Sequence, residues 1–156
     1  EMNLDGALFF EDDILFVKNW KSILNYFIKT HKPDIIRMDN LPYRVMENQE
    51  EDTIIFYKSL FTSCMGAYYL SKKAIDICIK NTENKIFEKR RSEDVFCFIT
   101  QELESTMYSS VPNLCVQDWY KSEDSMIQDN EHLKSLKTLQ NEHYFPIYGK
   151  YYDFDE

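Results

Sequence analysis

At 156 residues the chain fits one domain that buries roughly two-thirds of its extended-chain surface, and 44% hydrophobic residues, 15% aromatic, supply the core. A formal charge of −9 argues against a nucleic-acid partner: the densest basic run, Lys89-Arg90-Arg91, is flanked by acids, and a phosphate backbone would be repelled overall. No apolar run reaches the roughly 18 residues of a transmembrane helix, and Glu1 to Asp5 lack the basic-then-apolar order of a signal peptide.

The first element is Ala7-Leu8-Phe9-Phe10, followed directly by Glu11-Asp12-Asp13. Four consecutive apolar residues predict a short strand buried on both faces, as in parallel α/β sheets. Carboxylates at the carboxyl end of such a strand lie at the rim where open α/β sheets bind ligands. Three acids there repel one another, and Mg²⁺ or Mn²⁺, which prefers hard oxygen ligands, is the usual remedy. A solvated acidic turn is the competing reading.

Trp20, Ile23, Leu24, Phe27 and Ile28 recur at helical spacing, with Asn19 as N-cap. Pro33 and Asp34 then lead into a second strand, Ile35-Ile36-Arg37-Met38. Strand, helix and strand over residues 7 to 38 match the ~30 residues of a βαβ unit, whose strands run parallel with a right-handed crossover. Residues 40 to 53 are polar and acidic and read as a surface excursion.

Further strands are predicted at Thr53 to Tyr57 and at Gly66 to Leu70. Ser71 then caps a helix bearing Ala74, Ile75, Cys78 and Ile79 on one face. Gly66 allows close backbone approach or relieves packing before its strand. Ser92 caps another helix, with Val95, Phe98, Ile99 and Leu103 as its buried stripe and Glu93-Asp94 in its first turn. Val111 to Val116 reads as the last strand, with Pro112 at its start and Gln117-Asp118 at its rim end. From Ser125 a weak stripe of Leu133, Leu136 and Leu139 precedes an aromatic tail: Tyr144, Phe145, Tyr148, Tyr151, Tyr152 and Phe154. Packing against the sheet is the commoner use of such rings. Cys64, Cys78, Cys97 and Cys115 match no zinc or CxxC spacing and read as free buried thiols of a reducing, cytoplasmic compartment, with disulfides as the competing reading.

In this order the motifs resemble the glycosyltransferase family 25 domain of lipopolysaccharide-type glycosyltransferases and collagen galactosyltransferases. Those motifs are the Glu11-Asp12-Asp13 strand end, the helix, the Asp-Ile-Ile strand, Gly66-Ala67-Tyr68-Tyr69-Leu70-Ser71-Lys72-Lys73-Ala74, Glu93-Asp94-Val95, Pro112 to Gln117 and Ser122 to Ser125. The resemblance spans residues 7 to 127, so residues 1–127 read as the glycosyltransferase domain and 128–156 as a C-terminal extension packed on or beside it. It implies an α/β fold of the GT-A type, with a partial Rossmann-type sheet, flanking helices and an aromatic-rich extension. It also implies transfer of galactose or glucose from a UDP-sugar donor to a hydroxyl of a glycan or protein acceptor.

Glu11-Asp12-Asp13 is then similar to the DxD-type motif that binds donor and metal. Asp13 would hold Mn²⁺ or Mg²⁺ against the diphosphate, with Glu11 nearer the ribose or the metal's water shell and Asp118 a later metal contact. Asp94, with Glu93 second, is the expected general base, although acids in a first helical turn also answer to the helix dipole. A polar strand end is the competing account of Asp118. The family's nucleoside-binding segment normally precedes the acidic strand, yet only six residues stand before Ala7, so the resemblance implies that this segment is lost by truncation or supplied by another chain. The exposed strand edge this leaves favours self-association into a homo-oligomer. A non-catalytic binding or assembly module of the same fold and a two-metal phosphohydrolase are the alternatives.

Overall fold

The computed structural model describes residues 5–39, 53–59, 66–87, 92–117, 134–135 and 138–152. The excursion at 40–52, Cys64, Asp118, Ser122 to Ser125, Leu133, Leu136, Phe154 and the side chains of Ser92 and Glu93 lie outside the described residues.

The protein is mixed α/β. Seven strands are described: β1 (Gly6–Phe10), β2 (Ile14–Phe16), β3 (Ile35–Arg37), β4 (Ile55–Ser59), β5 (Ala67–Ser71), β6 (Met107–Val111) and β7 (Cys115–Gln117). Three longer helices are α1 (Trp20–His31), α2 (Lys72–Glu83) and α3 (Ser92–Glu102). The main sheet has the order β1-β5-β3-β6-β4, and β2 pairs with β7 in a separate antiparallel ribbon. Among the described strands only β3 and β6 pair in parallel; β1–β5, β3–β5 and β4–β6 are antiparallel.

This overturns the environment expected for the first strand. β1 is an edge strand with Leu8, Phe9 and Phe10 exposed, not a strand buried on both faces. Its direction matches that of β3, as a βαβ unit requires, but β5 is inserted antiparallel between them. A run of apolar residues reports a strand, not the neighbours it finds.

Other expectations shift locally. α1 forms on its apolar periodicity, but Asn19 holds a left-handed backbone (φ 60°) and its side chain makes no cap bond; its carbonyl accepts from Ser22 and Ile23 instead. Ser71 does cap α2, its hydroxyl accepting from Ala74 N–H at 3.2 Å. β4 runs two residues later than Thr53 to Tyr57. The stretch Val111 to Val116 is two strands, because cis-Pro112 turns the chain between β6 and β7.

Adjacent strand residues point to opposite faces, so the sheet carries two cores. On one face Ile36, Met38, Ala67 and Tyr69 pack with Leu24 and Phe27 of α1, with the β7 residues Cys115 and Val116, and with Tyr144, Tyr148 and Tyr152 of the tail. On the other, Ile35 and Leu70 pack with Ala74 of α2 and Phe96 and Ile99 of α3. Phe96, at 2% exposure, is the better-buried ring of α3, while Phe98 is only half-buried. Among the described cysteines, Cys115 is buried and Cys78 and Cys97 half-buried, all as free thiols.

The tail is anchored by a closed ring of hydrogen bonds. Asn113 N–H donates to Tyr144 Oη at 2.7 Å, and Tyr152 O–H donates to the Asn113 carbonyl at 2.8 Å. The 2.8 Å contact between the two phenols must therefore run from Tyr144 O–H to Tyr152 Oη, since the proton of Tyr152 is already committed. Val17 and Tyr152 add a β-bridge beside it.

Candidate functional site

The ends of β1, β3 and β7 and the start of β5 meet at one junction. Glu11 N–H donates to the Gly66 carbonyl at 2.8 Å, extending the β1–β5 ladder to the first acid of the run. Gln117 at the end of β7 donates from Nε2 to Glu11 Oε2 at 2.8 Å. The backbone of Gln117 is itself held, its carbonyl accepting from Gln140 Nε2 at 3.2 Å. The tail thus fixes the strand that orients Glu11.

The second carboxylate of the junction is Asp39, just beyond β3 and 2% exposed. Its Oδ2 accepts from Gly66 N–H at 2.9 Å and its Oδ1 from Ala67 N–H at 3.1 Å. Arg37, fully buried, brings Nη2 to 3.5 Å from Oδ1 and lays its guanidinium over the Phe96 ring, 5.1 Å from the centroid. Gly66 is glycine for reasons of space: a Cβ there would stand 2.7 Å from Asp39 Oδ2 and 2.9 Å from Ile14 Cδ1. Close approach, not a left-handed backbone, is what the position demands, since no glycine among the described residues has positive φ.

Burial pushes the Glu11 carboxyl above its ordinary range. The charge of Asp13 adds to this, as do those of Asp39 and Asp12, while the Gln117 bond opposes it. These four carboxylates therefore share one local field. The sign of the linkage follows from the direction of the shift. A raised carboxyl binds its proton more tightly in the folded than in the unfolded chain, so folding gains as pH falls into the carboxylate range and loses as pH rises through the folded value. Glu11→Gln keeps an acceptor for Gln117 and removes the charge. The variant is expected to be at least as stable as wild type at pH 7, with its advantage shrinking towards pH 4. Paired urea midpoints at the two pH values measure this, and a constant difference would contradict it.

The expected site residues are therefore only partly brought together. Glu11 and Gln117 are hydrogen-bonded, and Asp12 and Asp13 lie within their electrostatic reach. Asp94 is exposed in the first turn of α3, with no hydrogen bond or ion pair to the acidic run among the described residues. Asp39 and Arg37 were not foreseen from sequence. The signal was a charge inside the apolar strand Ile35 to Met38 with an acid two residues on, since positions i and i+2 of a strand share a face.

Among the described residues, no group of three or more His, Cys, Asp or Glu side chains is arranged to hold a metal ion. Asp39 spends both oxygens on backbone N–H groups, which makes it an organiser of the junction. Among the described residues no helix is long and apolar enough to cross a membrane. Comparison with protein-family models, with curated proteins and with solved structures finds no match to this chain.

Proposed function

We propose that this chain carries a GT-A-like glycosyltransferase domain of the family 25 type, transferring galactose or glucose from a UDP-sugar to a hydroxyl of a glycan or protein. The observation that carries the reading is the junction itself. The acidic run leaves β1 at a point where Gly66 admits the close approach of Asp39 and Ile14 and where Gln117 holds Glu11 at 2.8 Å. Asp13 and Glu11 are the residues that would hold Mn²⁺ or Mg²⁺, with Asp12 in the donor subsite and Asp118 as a further contact. A cation there supplies stabilisation of the charge that develops on the departing diphosphate.

The residues of the chain do the rest. Gln117 fixes the rotamer of Glu11, leaving Oε1 for the donor side. Asp39 and Arg37 hold the Gly66-Ala67 backbone so that the junction does not relax around the crowded carboxylates. Asp94, with Glu93 beside it, is the base that takes the acceptor proton, and its exposure keeps it open to a large acceptor.

The test is calorimetric titration of UDP with and without Mn²⁺, repeated on Asp13→Asn. Binding is expected only with Mn²⁺ and about tenfold or more weaker in the variant. Binding that ignores both metal and Asp13 removes the acidic run from the donor site and favours a non-catalytic module. Hydrolysis of UDP-sugars without transfer favours a phosphohydrolase.

A further inference from the structure

The outer edge of β1 is the part of the fold that the transferase reading leaves unused. Lys72 N–H donates to the Asp5 carbonyl and Glu11 N–H to the Gly66 carbonyl, so the odd-numbered residues of this strand face β5. Antiparallel ladders alternate, which turns the N–H and C=O groups of Gly6, Leu8 and Phe10 away from β5. No described strand pairs with that side.

The side chains along the edge are apolar on both faces of the sheet. Phe9 lies on the same face as Tyr68 and stacks on its ring at 5.1 Å. Leu8 and Phe10 lie on the other, and Phe10 meets Phe16 edge-on at 5.7 Å. All three remain exposed, at 38%, 40% and 59% for Leu8, Phe9 and Phe10. An edge strand that is left open is normally blunted by charge, proline or a bulge, and Leu8 to Phe10 carry neither charge nor proline. The charges stand at its two ends instead: Asp5 before it and Glu11, Asp12 and Asp13 after it.

That charge pattern selects the occupant. A second copy pairing antiparallel through Leu8 would set Asp5 of each chain opposite Glu11 of the other, and a parallel pair would bring the two acidic runs side by side. Like charges directly opposite in a ladder are destabilising. We infer that the outer edge of β1 binds an extended segment of another protein by strand addition, with an apolar centre and lysine or arginine at its ends. Such a segment closes the open ladder, covers Leu8, Phe9 and Phe10 on both faces, and pairs its basic ends with the acids.

The probe is a labelled nine-residue peptide with a Val-Phe-Val-Phe-Val centre and two lysines at each end, titrated by fluorescence anisotropy against the full chain. Controls are the same peptide with glutamates for lysines and one N-methylated at alternate centre residues. Binding of the lysine peptide is expected to be about tenfold or more tighter than of the glutamate peptide. It should weaken with added salt and be lost on N-methylation. Leu8→Pro removes an outward N–H and none of the β1–β5 bonds, so it should abolish binding while far-UV circular dichroism stays unchanged. Light scattering should show a monomer. Equal binding of the lysine and glutamate peptides, full binding of the N-methylated one, no binding of the lysine peptide, or a dimer dispersed by Leu8→Pro would each overturn the inference. The acids after β1 are shared with the transferase reading, but the peptide titration uses neither UDP nor a metal, so failure of the one is distinguishable from failure of the other.

Discussion

Asp39→Ala is expected to cost about 3–5 kcal/mol, a large share of the ~5–15 kcal/mol that holds a domain folded. The carboxylate is 2% exposed and accepts from Gly66 N–H and Ala67 N–H, while Arg37 stands 3.5 Å away at 0% exposure. Truncation leaves two buried amides without that acceptor and a buried guanidinium without that counter-charge. Asp39→Asn should fall between, because an amide keeps one acceptor oxygen but turns an NH₂ towards an N–H donor. Urea midpoints at constant slope measure the series. A double-mutant cycle with Arg37→Met should give a double variant less damaged than the sum of the two singles, since neither charge is then left facing an empty site. A loss below about 1 kcal/mol for Asp39→Ala would show that the junction does not depend on this carboxylate.

The second large effect is expected at Tyr144, 1% exposed and part of the closed ring with Asn113 and Tyr152. Tyr144→Phe keeps the packing but removes the acceptor that the Asn113 N–H uses, at about 1–3 kcal/mol. Tyr144→Ala adds a cavity beside Tyr148 and Tyr152, for a total of about 3–5 kcal/mol. Hydrogen exchange separates the two causes: the Asn113 amide should lose protection in both variants, whereas distant amides follow only the global loss. Burial also pushes the Tyr144 phenol well above the ordinary tyrosine value of 10.0. Because the unfolded chain ionises first, wild-type stability should fall as pH rises above that value, and Tyr144→Phe should flatten the fall. Through Gln140 and Gln117 the same tail reaches Glu11, so loosening it should also blur the candidate site.

Much of the secondary structure was legible because its causes are local. The 3.6-residue spacing of Trp20, Ile23, Leu24, Phe27 and Ile28 makes α1 whatever lies around it, and Ser71 caps α2 through an amide three residues away. The acidic run at the end of β1 was equally plain, and so was the place of Gln117 at the rim. Asp39 and Arg37 were hidden because their importance comes from burial and from amides 27 and 28 positions further along the chain.

By itself, then, the sequence determined the helices, the approximate strands, the acid-rich strand end and an aromatic tail with material to bury. The tertiary structure alone decided that β1 is an edge, that β5 separates it from β3, and that Pro112 divides one apolar stretch into two strands. It also decided that Tyr144 and Tyr152 close on Asn113. Periodicity and capping act over a few bonds and are written in neighbouring residues. Strand order and buried charge depend on which distant groups satisfy one another, and that is chosen only when the whole sheet forms.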